Sequence, residues 1–210
     1  MSHYATTGCF IAFEGGEGAG KSTQARLLGE WLAEQGYDVV QTHEPGDTAI
    51  GKQVRAIVLD PATGTMSHRT EALLYAADKA EHVDSVVLPA LERGAVVITD
   101  RYVDSALAYQ GAGRGLDDEL EQVMRWATSD LRPHVTVLLD VPPSEGMARF
   151  EERDRIEAEG VEFHEKVREM FLALAEAEHY LVVDGRAPAE EIAAQVRDSV
   201  GPYLSQATRR

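Results

Sequence analysis

Gly15-Gly16-Glu17-Gly18-Ala19-Gly20-Lys21-Ser22 matches G-x-x-x-x-G-K-[ST] at every fixed position. Glycine lets a backbone wrap closely around an anion, and the N–H groups that open the following helix point inward at it. Lys21 adds a point charge for terminal phosphates, and the Ser22 hydroxyl suits a Mg²⁺ ligand. Asp100-Arg101 is the second pair that can do chemistry. A carboxylate at a strand's C-terminal edge holds Mg²⁺ directly or through water, and the planar guanidinium beside it clamps a second phosphate. Asparagine is absent from the chain, which excludes the guanine-reading N-K-x-D and the protein-kinase catalytic loop. No three glycines of the loop fall at G-x-G-x-x-G spacing, so a dinucleotide fingerprint does not fit. What remains is phosphoryl transfer to a small acceptor, or an ATP-binding switch or scaffold with little turnover.

The elements that must position these residues alternate. Apolar runs at Cys9–Phe13, Val39-Val40, Ala95–Thr99, Val135–Leu139 and Tyr180–Val183 read as strands. Helical stretches separate them: one through Trp31 ending at Gly36, one with Val54, Ile57 and Val58, and one from about Thr70 to Arg93. Phe163, Val167, Met170, Phe171 and Leu174 share a further helical face, and Pro188 to Leu204 reads as a C-terminal surface helix. Strands without polar alternation, each followed by a helix, predict an α/β fold with a five-stranded parallel sheet covered on both faces. No linker or repeat divides residues 1–210, so one domain is expected.

The chain resembles bacterial thymidylate kinases. The resemblance is carried by Phe13 to Thr23, Glu44-Pro45-Gly46, Leu73 to Lys79, Asp100-Arg101-Tyr102 running on to Ser105 and Ala108-Tyr109-Gln110-Gly111, and Asp154-Arg155-Ile156-Glu157. It implies a three-layer P-loop NTPase fold and transfer of phosphate from MgATP to dTMP; a kinase for another nucleotide or deoxynucleoside is the alternative. Gly15, Gly16, Gly18, Ala19, Gly20, Lys21, Ser22 and Thr23 would bind ATP, with Ser22 and Asp100 at the metal. Glu17 would lie near the acceptor's 3′-hydroxyl, Tyr75 would stack on thymine, and Tyr109 would crowd the sugar's 2′ position. Arg101, Ser105 and Gln110 complete the acceptor pocket. Lys79 stands where the family commonly has an arginine that reaches the thymine edge, so the charge is kept and the planar fork is lost.

Charge on the transferring phosphoryl group must be met by a cation. The resemblance implies an arginine from either the loop or a lid, and Gly18-Ala19 leaves the loop without one. Arg149, Arg153 and Arg155 lie in the expected lid, at about 148–158, with Arg153 and Arg155 favoured as catalytic residues. No general base is required, because the acceptor phosphate monoester, with a second pKa of about 6, is already largely anionic at neutral pH.

The rest of the composition narrows the partners. With 20 basic and 36 acidic residues the net charge is −16, which disfavours nucleic-acid polymers and anionic membranes. A single cysteine, Cys9, excludes an intrachain disulfide. No apolar run reaches membrane-spanning length and the N-terminal residues lack a signal-peptide pattern, so a cytoplasmic protein is expected. The resemblance further implies a homodimer.

Overall fold

Phe10 and Ala12 face one side of their strand while Cys9, Ile11 and Phe13 face the other, and all five are fully buried. A strand with no polar side needs cover on both faces. The computed structural model, which describes residues 3–5, 7–116, 118–149, 154–178 and 180–209, supplies it. Its strands are β1 (His3–Tyr4), β2 (Cys9–Glu14), β3 (Val39–His43), β4 (Val96–Asp100), β5 (Leu131–Arg132), β6 (Val135–Asp140) and β7 (Leu181–Asp184). Five of them form a parallel sheet in the order β3-β4-β2-β6-β7.

The helices are α1 (Lys21–Glu34), α2 (Ala49–Leu59), α3 (His68–His82), α4 (Leu88–Glu92), α5 (Val103–Ala106), α6 (Asp118–Ala127), α7 (Pro143–Gly146), α8 (Val161–Glu178) and α9 (Ala189–Val200). On one face of the sheet α1 and α9 bury Leu28, Leu32, Ile192 and Val196. Ala72, Ala76, Leu91, Leu120 and Met124 from α3, α4 and α6 cover the other. Burying each leucine stabilises the fold by about 1.5–3 kcal/mol. Val167, Phe171 and Ala175 of α8 close a third cluster against Leu138 and Tyr109.

Register sets the site. Phe13 of β2 and His43 of β3 both lie beside Asp100 of β4. The C-terminal ends of three adjacent strands therefore bring Gly15, Glu44 and Arg101 to one edge, where an open parallel sheet receives ligands.

The five strands and this layering agree with the sequence pattern, and three details differ. The helix expected from about Thr70 to Arg93 is divided by a wider π-helical turn at Val83–Val87. Pro89 lacks an N–H and its ring cannot sit against a carbonyl four residues back, so the chain widens before it and restarts. The C-terminal helix ends at Val200 and tightens into a 3₁₀ segment, Gly201–Gln206, that contains Pro202. Finally, α6 and a small parallel sheet that pairs His3 with Leu131 and Tyr4 with Arg132 were not expected. Two-residue strands carry no periodicity to detect.

Candidate active site

The loop after β2 turns on glycines that have no substitute. Gly15 has φ 139°, and a Cβ there would lie 2.4 Å from the Leu139 carbonyl oxygen. Gly20, at φ 95°, starts α1 with no side-chain cap, which leaves the first N–H groups of the helix open to a ligand. Lys21 Nζ donates to the carbonyls of Gly15 at 3.0 Å and Gly16 at 2.8 Å. Ser22 Oγ donates to Asp100 Oδ2 at 2.5 Å. The phosphate cavity over this loop is lined by Gly18 to Thr23, Asp100 and the basic side chains of Lys21, Arg55, Arg101 and Arg149. Glu17, Glu44, Asp100 and Glu157 line it too, so four basic side chains face four carboxylates in a chain whose net charge is −16.

A hydroxyl and a carboxylate in contact are hard oxygen donors of the kind Mg²⁺ uses alongside nucleotide phosphates and water. Among the described residues no group of three or more His, Cys, Asp or Glu side chains forms a dedicated metal cage. The donor set fits a cation held mainly by its nucleotide.

Arg101 follows β4 with φ 72°, a left-handed conformation that costs a non-glycine residue about 1–3 kcal/mol. Its N–H donates to the Phe13 carbonyl at 2.9 Å, and Thr99 Oγ1 donates to its carbonyl at 2.8 Å. Held this way, the guanidinium reaches Gly15 O at 3.2 Å, Ser105 Oγ at 3.1 Å and Glu17 Oε1 at 2.6 Å. Tyr109 donates its hydroxyl to the same Glu17 oxygen at 2.8 Å, and the Arg101 guanidinium lies 5.1 Å from the Tyr109 ring centre. Burial pushes the Glu17 carboxyl up, but Arg101, Lys21 and the Tyr109 hydroxyl overcome it and hold the group at about 2.

Beside this cluster lies a second cavity, of about 120 Å³. It is walled by Tyr75, Lys79, Ser105, Tyr109 and Gln110, together with Leu59 and Ile156. All the expected acceptor residues meet here. Glu17, Glu44, Arg55, Arg101 and Glu157 line both cavities. Ser105 donates to the buried Glu14 at 2.6 Å, and burial, then the charge of Asp104, raises the Glu14 carboxyl to about 7. Lys79 is 2% exposed, donating to Glu44 and to the Tyr102 carbonyl at 2.8 Å. His82 Nδ1 lies 2.6 Å from the other oxygen of Glu44. The lysine charge is therefore already balanced inside the wall.

The three expected lid arginines part company. Arg149 reaches the Gly18 carbonyl at 2.5 Å and lines the phosphate cavity. Arg155 turns elsewhere, donating to the Val58 carbonyl at 2.7 Å and to Glu71 at 2.5 Å, and lines neither cavity. Arg153 lies outside the described residues.

Sequence reasoning missed Arg55, which donates to the Pro45 carbonyl at 2.8 Å and lines both cavities. A basic residue between Val54 and Ile57, nearly two turns into the helix after Glu44-Pro45-Gly46, was the available signal.

The family model described as thymidylate kinase matches residues 13–196. A thymidylate kinase from Cutibacterium acnes is 54% identical over 202 residues, covering 95% of this chain and 99% of that protein. One from a Synechococcus species is 49% identical over 204 residues, covering 95% and 97%. Another, from Desulfovibrio desulfuricans, is 44% identical over 213 residues, covering 95% and 98%.

Proposed function

The chain belongs to the thymidylate kinase family and phosphorylates dTMP to dTDP with ATP as donor; we propose that the phosphoryl group crosses between the two cavities at Arg101 and Glu17. The observation that carries this reading is the shared lining: the cavity over the glycine loop and the recess walled by Tyr75, Lys79 and Tyr109 meet at the same five side chains.

In this reading the loop N–H groups and Lys21 hold the donor's phosphates. Ser22 and Asp100 would hold Mg²⁺, which when bound offsets phosphate charge. Arg101 and Arg55 hold the acceptor phosphate, whose anionic oxygen attacks the γ-phosphorus as the bond to ADP breaks. Positioning of two polyanions and neutralisation of their repulsion are the main tasks. Arg149 is the arginine that geometry favours for the transferring group, because it reaches into the loop at Gly18.

Glu17, ionised throughout the neutral range, accepts a hydrogen bond from the acceptor's sugar hydroxyl. Tyr75 stacks on the base, worth about 1–3 kcal/mol. Tyr109 stands beside the sugar with its hydroxyl fixed by Glu17, and Ser105, Gln110 and Lys79 help wall the recess that takes the nucleotide.

The finer organisation follows the same reading. The chain acts as one kinase domain, and residues 150–153 of the lid expected at about 148–158 lie outside the described residues. Ile50 and Ile57 of α2, Leu73 of α3 and Trp126 of α6 are exposed, on helices packed side by side, which supports a homodimer through that surface. No described helix is long and apolar enough to cross a membrane. A single buried thiol, Cys9, supports a cytoplasmic setting. Chromatography of a MgATP and dTMP incubation tests the function: dTDP and ADP in equal amounts support it, and intact dTMP beside bound ATP overturns it.

A further inference from the structure

Glu71 belongs to none of the motifs above, yet its carboxylate is 1% exposed and receives three donors from two separate segments, one with Gln110 and Arg114 and one with Arg155. Gln110 Nε2 donates to Oε1 at 2.9 Å. Arg114 Nε donates to the same oxygen at 3.2 Å, and Arg155 Nη2 donates to Oε2 at 2.5 Å. Arg155 is pinned a second time where its backbone N–H donates to the Leu59 carbonyl at 2.9 Å. Arg114 also pairs with Glu159 at 2.6 Å, so both ends of the 154–159 segment are held through arginines that converge on Glu71.

That segment carries Ile156 and Glu157, which line the acceptor cavity. Gln110, on the same carboxylate, lines it from the opposite element, and Tyr75 stands one helical turn beyond Glu71. We propose that Glu71 is a positioning residue for the acceptor: its carboxylate fixes the 154–159 segment as a wall of the dTMP cavity and locks that wall to Gln110. This rests on the dTMP kinase reading. A buried carboxylate with several charge-assisted donors has one low-energy arrangement, so its partners are fixed relative to one another. Arg155 then acts as the anchor of the wall and makes no contact with the transferring phosphate.

Steady-state kinetics of Glu71→Gln, Arg155→Gln and the double variant, beside the wild type, tests the proposal. Each single variant is expected to raise the dTMP KM by about 10- to 100-fold with the ATP KM unchanged. The double variant is expected to be no worse than the poorer single one, because both remove the same tie. Arg155→Gln leaves Glu71 with its Gln110 and Arg114 donors, and circular dichroism of each variant separates loss of fold from loss of positioning. Additive losses in the double variant, or a fall in kcat with both KM values unchanged, overturn the proposal. A wild type without dTMP-dependent turnover would instead overturn the kinase reading.

Discussion

The guanidinium of Arg101 donates to Glu17 Oε1 at 2.6 Å, joining residues 84 positions apart at the seam between the phosphate cavity and the acceptor cavity. Either side chain alone would be poorly placed. A carboxylate inside a phosphate cradle repels its ligand, and an arginine with φ 72° carries backbone strain. Together they set a fixed cation beside a fixed acceptor of hydrogen bonds, where the two cavities meet.

Replacing Arg101 with lysine keeps the charge and the strained backbone but removes the planar fork that reaches Gly15, Ser105 and Glu17 together. We expect kcat/KM for dTMP to fall by about 10²–10³ with little change in thermal stability. An activity within a few-fold of wild type would show that the fork is dispensable.

Two buried carboxyls near this pair give opposite pH dependences. Glu17 is held at about 2 against an ordinary 4.5, so its stabilisation is present above 4.5 and lost as pH falls toward 2. Glu14 is raised to about 7, so its contribution is complete below 4.5 and lost as pH rises through 7. Urea unfolding across pH should show Glu17→Gln losing the acid-side dependence and Glu14→Gln losing the neutral-side dependence. Unchanged profiles would contradict both assignments.

Gly18 has φ 69°, and a Cβ there would lie 2.3 Å from the Gly146 carbonyl oxygen. Gly18→Ala should therefore destabilise the fold by more than about 1 kcal/mol and weaken ATP binding, because loop and α7 must separate. Gly16 offers a control, since nothing lies within 4 Å of a Cβ at that position. Calorimetric titration with ATP and a denaturation curve for each variant would check the contrast.

Lys79 neutralises Glu44 inside the cavity wall. Lys79→Met leaves that carboxylate with His82 as its remaining side-chain partner and should destabilise the protein by about 3–5 kcal/mol, as loss of one member of a buried pair does. Chemical denaturation of the folded variant measures it, and a loss below 1 kcal/mol would mean the pair is not structurally required.

The sheet, its order of elements and most of the site were legible because they rest on local signals. Unbroken apolar runs mark strands buried on both faces, and G-x-x-x-x-G-K-S fixes its own turn and helix start. Tyr75, Lys79, Ser105, Tyr109 and Gln110 were named from motif order, and the fold brings them to one cavity. The contacts of Arg55, Arg149 and Glu71 were not legible, although Arg149 is one of the three arginines in the expected lid. Each depends on partners brought near by tertiary packing: Pro45, Gly18, and the trio of Gln110, Arg114 and Arg155. Arg155 shows the limit plainly, since its position in a motif suggested phosphate while its neighbours are Glu71 and Val58.

The most direct test of the central claim is ADP release from MgATP in the presence of dTMP, dUMP, dCMP, dGMP, AMP or thymidine at equal concentration. We expect strong stimulation by dTMP and a weak response to the others, from the recess walled by Tyr75, Lys79 and Tyr109. Equal turnover of dUMP would contradict the base selectivity assigned to this pocket. ATP binding without stimulation by any acceptor would contradict phosphoryl transfer at Arg101 and Glu17 altogether.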